Sequence, residues 1–171
     1  MQITLDETEI QEEITYSETQ EKPASPVGRI VAISISKKRG IPKSNVPFAK
    51  LIEDYGIEGD AHAGKWHRQI SFLAMESVEK MRRAGLPKLR PGAFAENITT
   101  EFIDIPHIEI GTKVKIGKDT ILEITQIGKE CHTKCAIYAR IGDCVMPKEG
   151  IFAKVLKSGE IYVGDKVIIE R

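Results

Sequence analysis

Two stretches of the chain, IGTKVKI at residues 110–116 and VGDKVII at 163–169, share one pattern: a glycine turn, then side chains that alternate apolar and polar. Alternation sends successive side chains to opposite faces, so each stretch predicts a strand with one buried face. The same reading applies to VGRIVAISIS at 27–36, where Val31, Ile33 and Ile35 alternate with smaller residues, and to QISFL at 69–73. Residues 108–116 and 120–127 read as a hairpin through the turn Gly117, Lys118, Asp119. Shorter strands are expected around 97–99 and at 150–156, after which KSGE turns the chain into its last strand. Helical spacing is found at 74–84, with Met75, Val78 and Met81 on one stripe and Gly85 closing it. Short strands separated by glycine turns, with few helices among them, predict a mainly β fold. The expectation is a closed or nearly closed β-barrel with a few short helices, not a layered α/β sheet.

With 171 residues the chain can bury one core of ordinary size. Residues 1–26 hold seven acidic side chains and one lysine before the breaker-rich EKPASP, and are expected to form a flexible acidic tail ahead of a barrel domain at 27–171. Lysine plus arginine and aspartate plus glutamate balance at 25 each, which argues against a nucleic-acid surface and favours a small or neutral partner. No run approaches the roughly 18 apolar residues of a membrane helix. Three cysteines without a secretion signal are expected to stay reduced, in the cytoplasm.

All three cysteines fall in KECHTKCAIYARIGDC at 129–144, with His132, Lys134 and Arg140 close by to favour thiolate. Four readings of Cys131, His132, Cys135 and Cys144 stand on sequence alone. They are a structural zinc site, a dithiol redox pair, a thiolate that ligates a soft metal or carries sulfur, and buried inert thiols. A second candidate stretch is DYGIEGDAHAG at 54–64, where glycines bracket Asp60 and His62 and let backbone approach a ligand. KKRGIPKSNVP carries Lys37, Lys38, Arg39 and Lys43 on a loop whose glycine and prolines forbid regular structure, and a solvated turn is expected there. Asn97 reads most simply as a turn cap.

Taken in order, GIEGDAHAG, RQISFLAMESVE, RPGAFAENITTE, the thiol stretch and GIFAKVLKSGEIYVGDKV resemble the MOSC family, named for the C-terminal domain of molybdenum cofactor sulfurases. The resemblance runs from Gly28 to the end of the chain and implies a barrel of pyruvate-kinase type. It also implies binding of the molybdenum cofactor in its molybdopterin form. Asp60, His62 and Asn97 would pair with the pterin, and Lys43, Arg68 or Arg90 with its phosphate. Cys135 best matches the family's characteristic cysteine and would be the catalytic thiol and molybdenum ligand, with Cys131 as second choice or as a resolving thiol, and Cys144 structural. Where many members have a proline before that cysteine, this chain has Lys134.

Two activities are compatible with the resemblance, a sulfurtransferase-like carrier and a molybdenum-dependent reductase of N-hydroxylated compounds, beside a cofactor-free regulatory domain. The carrier ranks first because the chain has neither a flavin nor an iron–sulfur motif to feed a reductase. It also has no pyridoxal phosphate site, so a separate cysteine desulfurase would load it and a molybdoenzyme would receive its cargo.

Overall fold

The computed structural model describes residues 27–104, 107–131 and 135–170; the tail expected at 1–26, together with His132 and Lys134, lies outside them. The chain runs through β1 (Val27–Ile35), β2 (Ser44–Val46), β3 (Phe48–Ile52), β4 (Gly56–Ile57) and β5 (Ile70–Ala74) to α1 (Met75–Arg83). It continues through β6 (Ile98–Glu101), β7 (Lys113–Ile116), β8 (Thr120–Ile127), α2 (Ala136–Ile141) and α3 (Met146–Glu149). The last strands are β9 (Ile151–Lys157), β10 (Gly159–Tyr162) and β11 (Lys166–Glu170).

Seven strands close into a barrel in the order β1-β6-β5-β9-β8-β7-β11, with β11 returning to β1 through Val27↔Ile168, Gly28↔Val167 and Arg29↔Lys166. Closure leaves the barrel strands without a free edge, which answers the aggregation hazard of an open sheet. The two echoed segments pair with each other as β7 and β11, Ile116 opposite Val167, so one repeated pattern supplies both sides of one ladder. Among the described residues only β5 and β6 pair in parallel, and α1 lies in the crossover between them. Parallel neighbours cannot be joined by a tight turn, so this connection is long, and its second half, residues 84–97, is free to build the site.

Ile30, Ile33, Ile70, Phe72, Ile98, Leu122, Ile124, Ile151, Val155 and Val167 fill the interior. A second cluster outside the barrel packs Val78 and Met81 of α1 on Leu73, Phe94, Cys144, Met146 and Phe152. Strand β5 is therefore buried on both faces, and all five of its residues are inaccessible. Each such aliphatic or aromatic side chain contributes about 1.5–3 kcal/mol relative to exposure.

Four local expectations change. In β1, Ile33 and the partly buried Ile35 face the core as expected, but Ile30 takes the place of Val31, because the register against β6 shifts between Ile30 and Ala32. Residues 108–112 precede the strand instead of belonging to it, since the chain turns at Gly111 with φ +90°. The loop expected to lack regular structure contains β2, whose Ser44, Asn45 and Val46 pair with Ile35, Ser34 and Ile33; Pro42 and Pro47 flank this ladder and do not interrupt it. KSGE is more than a turn, because Gly159–Tyr162 pairs with β3 in a small sheet, β10-β3-β4, that adds Leu51, Ile57 and Ile161 to the barrel core. Strand β3 itself went unread in the sequence. Among the described residues no helix is long and apolar enough to cross a membrane.

Candidate functional site

The DYGIEGDAHAG loop is tied to the end of β1: the Ala61 N–H donates to Ser36 O, and the Ser36 N–H donates to Asp60 Oδ1 at 3.1 Å. Turn bonds inside the loop, Asp60 N–H to Ile57 O and Gly64 N–H to Tyr55 O, fix Asp60 inward. Opposite it sits Lys43, whose side chain is 0% exposed. Its ammonium donates to Asp60 Oδ1 at 2.7 Å and to Ser36 Oγ at 3.2 Å, and lies 2.9 Å from His62 Nδ1. The loop expected to be solvated thus delivers a fully buried cation, and the reason is a partner seventeen residues away in sequence. Burial of a charge is tolerable only with such pairing.

Lys43 is held from behind by the segment that follows α1. Its backbone N–H donates to Gly92 O at 2.9 Å, and its carbonyl accepts from Arg90 Nη1 at 2.7 Å. That segment is in turn folded around Glu96, fully buried, whose carboxylate accepts the N–H groups of Gly92 and Phe94 and the Thr99 hydroxyl. Burial raises the Glu96 carboxyl despite these donors. Asn97, also fully buried, accepts from the Ser71 N–H and hydroxyl and donates to Ser34 O, stitching β1 to β5. Its amide works inside the scaffold, not as the cap of a turn.

The outer part of the site is cationic. Trp66, the only tryptophan, donates its indole N–H to His62 O at 2.8 Å. The Arg39 guanidinium lies 4.9 Å from the Trp66 ring centre; Arg68 lies 4.7 Å from the same ring and 5.6 Å from that of Phe152. Arg68 Nε is buried and has no hydrogen-bond partner among the described residues. Lys129, at the start of the thiol stretch, is near enough for its charge to act on both His62 and Cys144, and Cys144 also feels Cys131 and Cys135. Cys131 and Cys135 are exposed and Cys144 is buried, its thiol pushed up by that burial and by the two neighbouring thiols. Cys135 stands at the N-cap of α2, a short helix with no fully buried residue.

Of the residues singled out in the sequence, Lys43, Asp60 and His62 meet directly, while Arg90 and Asn97 act on the framework around them. Arg68 joins through Trp66, and Cys131 and Cys135 lie exposed on the thiol stretch. Sequence reasoning passed over Glu96, Ser36 and Trp66. A signal existed for Glu96, an acid set in the otherwise apolar and small run GAFAEN.

Electrostatics follow from burial. Desolvation alone would raise the Asp60 carboxyl, but the hydrogen bond and charge of Lys43, with the N–H groups of Ser36 and His62, hold it below the usual range. His62 is pulled down to about 4 by burial first, then by Lys43, Arg39 and Lys129, against the opposing pull of Asp60. The imidazole is therefore neutral when folded and takes up a proton near pH 6.5 when unfolded, so its stability contribution is full above pH 6.5 and declines as pH falls toward 4. Urea unfolding at pH 7.5 and 4.5 is expected to show a His62-dependent loss of about 2–3 kcal/mol. A His62→Gln variant should lack that part of the drop; an equal drop in variant and parent would mean that His62 titrates normally.

A closed barrel with small helices, bearing a buried Lys–Asp–His cluster and two exposed thiols, defines the class: a small cysteine-bearing β-barrel. The chain belongs to the MOSC domain family, whose model matches residues 59–168. The YuaD protein of Bacillus subtilis superposes with a TM-score of 0.70 at 18% identity, over 84% of this chain and 95% of that one. YiiM of Geobacillus stearothermophilus gives 0.63 at 19% identity, over 84% and 75%, and YiiM of Escherichia coli 0.60 at 15%, over 84% and 70%. At these identities the superpositions establish the shared fold. No curated protein matches the sequence.

Proposed function

We propose that this MOSC protein binds the molybdenum cofactor and carries sulfur for its maturation through Cys135. The observation that carries the reading is Arg68, whose buried Nε has no hydrogen-bond partner among the described residues and whose guanidinium lies on Trp66, itself bonded to His62 O. The donor set also suits the group: Arg68, with its unpartnered buried Nε, fits a phosphate, and His62 with Asp60 fits the polar edge of a pterin. Lys43 and Arg90, the other cations considered for phosphate, direct their donors to Asp60, Ser36, His62 and backbone carbonyls. Once bound, the cofactor supplies a dithiolene-held molybdenum that accepts a terminal sulfur.

The chain's own chemistry is nucleophilic. The Cys135 thiolate attacks the sulfane sulfur of a persulfide held by a cysteine desulfurase, an S–S bond forms at Cys135, and the donor leaves as thiolate. Attack by Cys131, exposed on the same stretch, on the inner sulfur of the Cys135 persulfide breaks its S–S bond, forms a Cys131–Cys135 disulfide and releases hydrosulfide, and a dithiol reductant then restores both thiols. A molybdoenzyme receives the product.

The test is to purify the protein from a host that makes the cofactor and measure molybdenum, pterin and cyanide-releasable sulfur beside Cys135→Ala. Releasable sulfur in the parent, reduced at least tenfold in the variant, is expected. Absence of molybdenum, pterin and releasable sulfur together would sink the proposal. Stoichiometric molybdenum without releasable sulfur would point instead to a metal-ligating Cys135 and to reductase chemistry.

A further inference from the structure

The Lys43 ammonium carries three protons and no acceptor site. Three acceptors surround it: Asp60 Oδ1 at 2.7 Å, His62 Nδ1 at 2.9 Å and Ser36 Oγ at 3.2 Å. The Ser36 hydroxyl donates its own proton to Lys38 O at 2.9 Å, so toward Lys43 it too can only accept. Every proton of the ammonium therefore has a destination, and the one aimed at His62 requires a lone pair on Nδ1. The imidazole proton must then sit on Nε2.

We propose that Lys43 is a positioning residue that fixes His62 as its Nε2–H tautomer, so that the imidazole meets a ligand as a hydrogen-bond donor and not as a base. This rests on, and sharpens, the reading of the site as one that binds the molybdenum cofactor. Asp60 anchors the arrangement from the other side. Its Oδ1 takes the lysine while Oδ2 accepts the His62 backbone N–H at 3.1 Å, so the ring and its peptide are both tied to one carboxylate. The charged groups acting on His62 are Lys43, Arg39 and Lys129, with Asp60 alone opposing them.

The consequence is a recognition rule. With His62 presenting N–H, and Arg39, Arg68 and Lys129 presenting only donors, the outer site offers hydrogens and asks for acceptors. Asp60, the one carboxylate of the cluster, is turned inward and occupied. The site selects an acceptor-rich, anionic ligand and disfavours cationic ones, because these side chains offer donors and positive charge. Lys43, although positive, contributes nothing to that ligand directly. Its role is to set the proton on its neighbour.

The experiment uses the full chain labelled with ¹⁵N and free of metal and pterin, with His62 assigned by difference from His62→Gln. Long-range ¹H–¹⁵N correlation distinguishes the two neutral tautomers and the imidazolium. Expected in the parent is the Nε2–H pattern, persisting unchanged from pH 8 to pH 6. In the double variant Lys43→Met, Asp60→Asn, which removes the charge pair as a unit and avoids stranding one buried ion, both tautomers should appear and their ¹⁵N shifts should average. A parent showing Nδ1–H or imidazolium at pH 7 would overturn the proposal. So would a double variant that keeps the parent's pattern. Should the double variant fail to fold, the parent spectrum still decides which nitrogen carries the proton. Because no cofactor takes part, the result is independent of the loading assay, and either proposal can fail without the other.

Discussion

Lys43→Met is expected to lower the stability of the folded protein by about 3–5 kcal/mol. The methionine fills nearly the volume of the lysine stem, so packing is not what is lost. Asp60 keeps its negative charge with its side chain at 0% exposure, and its strongest donor, at 2.7 Å, is gone. The N–H groups of Ser36 and His62 remain, but they cannot neutralise a carboxylate removed from water. In urea, with a slope of about 2 kcal/mol per M, the midpoint should fall by roughly 2 M. Adding Asp60→Asn should restore part of the loss, because an amide leaves no buried charge, although its single oxygen can accept from only one of the two N–H groups. A single variant as stable as the parent would show that the pair is not buried and coupled in solution.

The second large effect is expected at Gly92. Its φ is +93°, a region that costs side-chain-bearing residues about 1–2 kcal/mol. A Cβ built there would lie 2.4 Å from Lys43 O and 2.9 Å from Ser34 Oγ. The carbonyl is backbone in a tethered loop and cannot swing aside as a side-chain tip would. The segment 90–96 must move instead, and with it go the Lys43 N–H bond to Gly92 O and the Arg90 bond to Lys43 O, worth about 1 kcal/mol each. Gly92→Ala should therefore cost about 3–4 kcal/mol in thermal or urea unfolding. Gly40→Ala is the control: φ is +77°, but nothing lies within 4 Å, so the cost should stay near 1 kcal/mol. Equal losses in the two variants would mean that backbone conformation, not the close approach to Lys43, governs Gly92. Because Lys43 is displaced, the His62 titration should also rise above its parent value in Gly92→Ala and remain unchanged in Gly40→Ala.

These two effects come from one arrangement. Glu96 folds the 90–96 segment, the segment grips the backbone of Lys43, and Lys43 holds Asp60 and His62 in place. None of these contacts touches the thiols. The rigid half of the site belongs to the barrel and its crossover, whereas Cys135 sits on α2, a helix of six residues. Under the proposed function, the rigid cluster would serve recognition and the lightly packed Cys135 would serve transfer.

The barrel was legible in the sequence because alternation is a local signal. Residues 113–116, 120–127 and 166–170 each report one buried face without reference to the rest of the chain, and the glycine turns mark where each strand stops. The order of motifs was equally readable and pointed to the MOSC family. Asp60, His62 and the cysteines were visible as reactive side chains in suggestive settings.

What the sequence could not decide was the fate of Lys43 and Asn97. Lys43 lies on a loop that reads as solvated and Asn97 where a turn cap is expected, yet both are fully buried, because their partners lie elsewhere in the chain: Asp60 and His62 for Lys43, Ser34 and Ser71 for Asn97. The alternation in 27–36 likewise named one face, and a register shift set by β6 chose another at Ile30. Periodicity and composition are properties of neighbours along the chain, and they fixed the strands. Burial of a charge, the tautomer of an imidazole and the meeting of two distant loops depend on neighbours in space, and only the closed barrel brings those together.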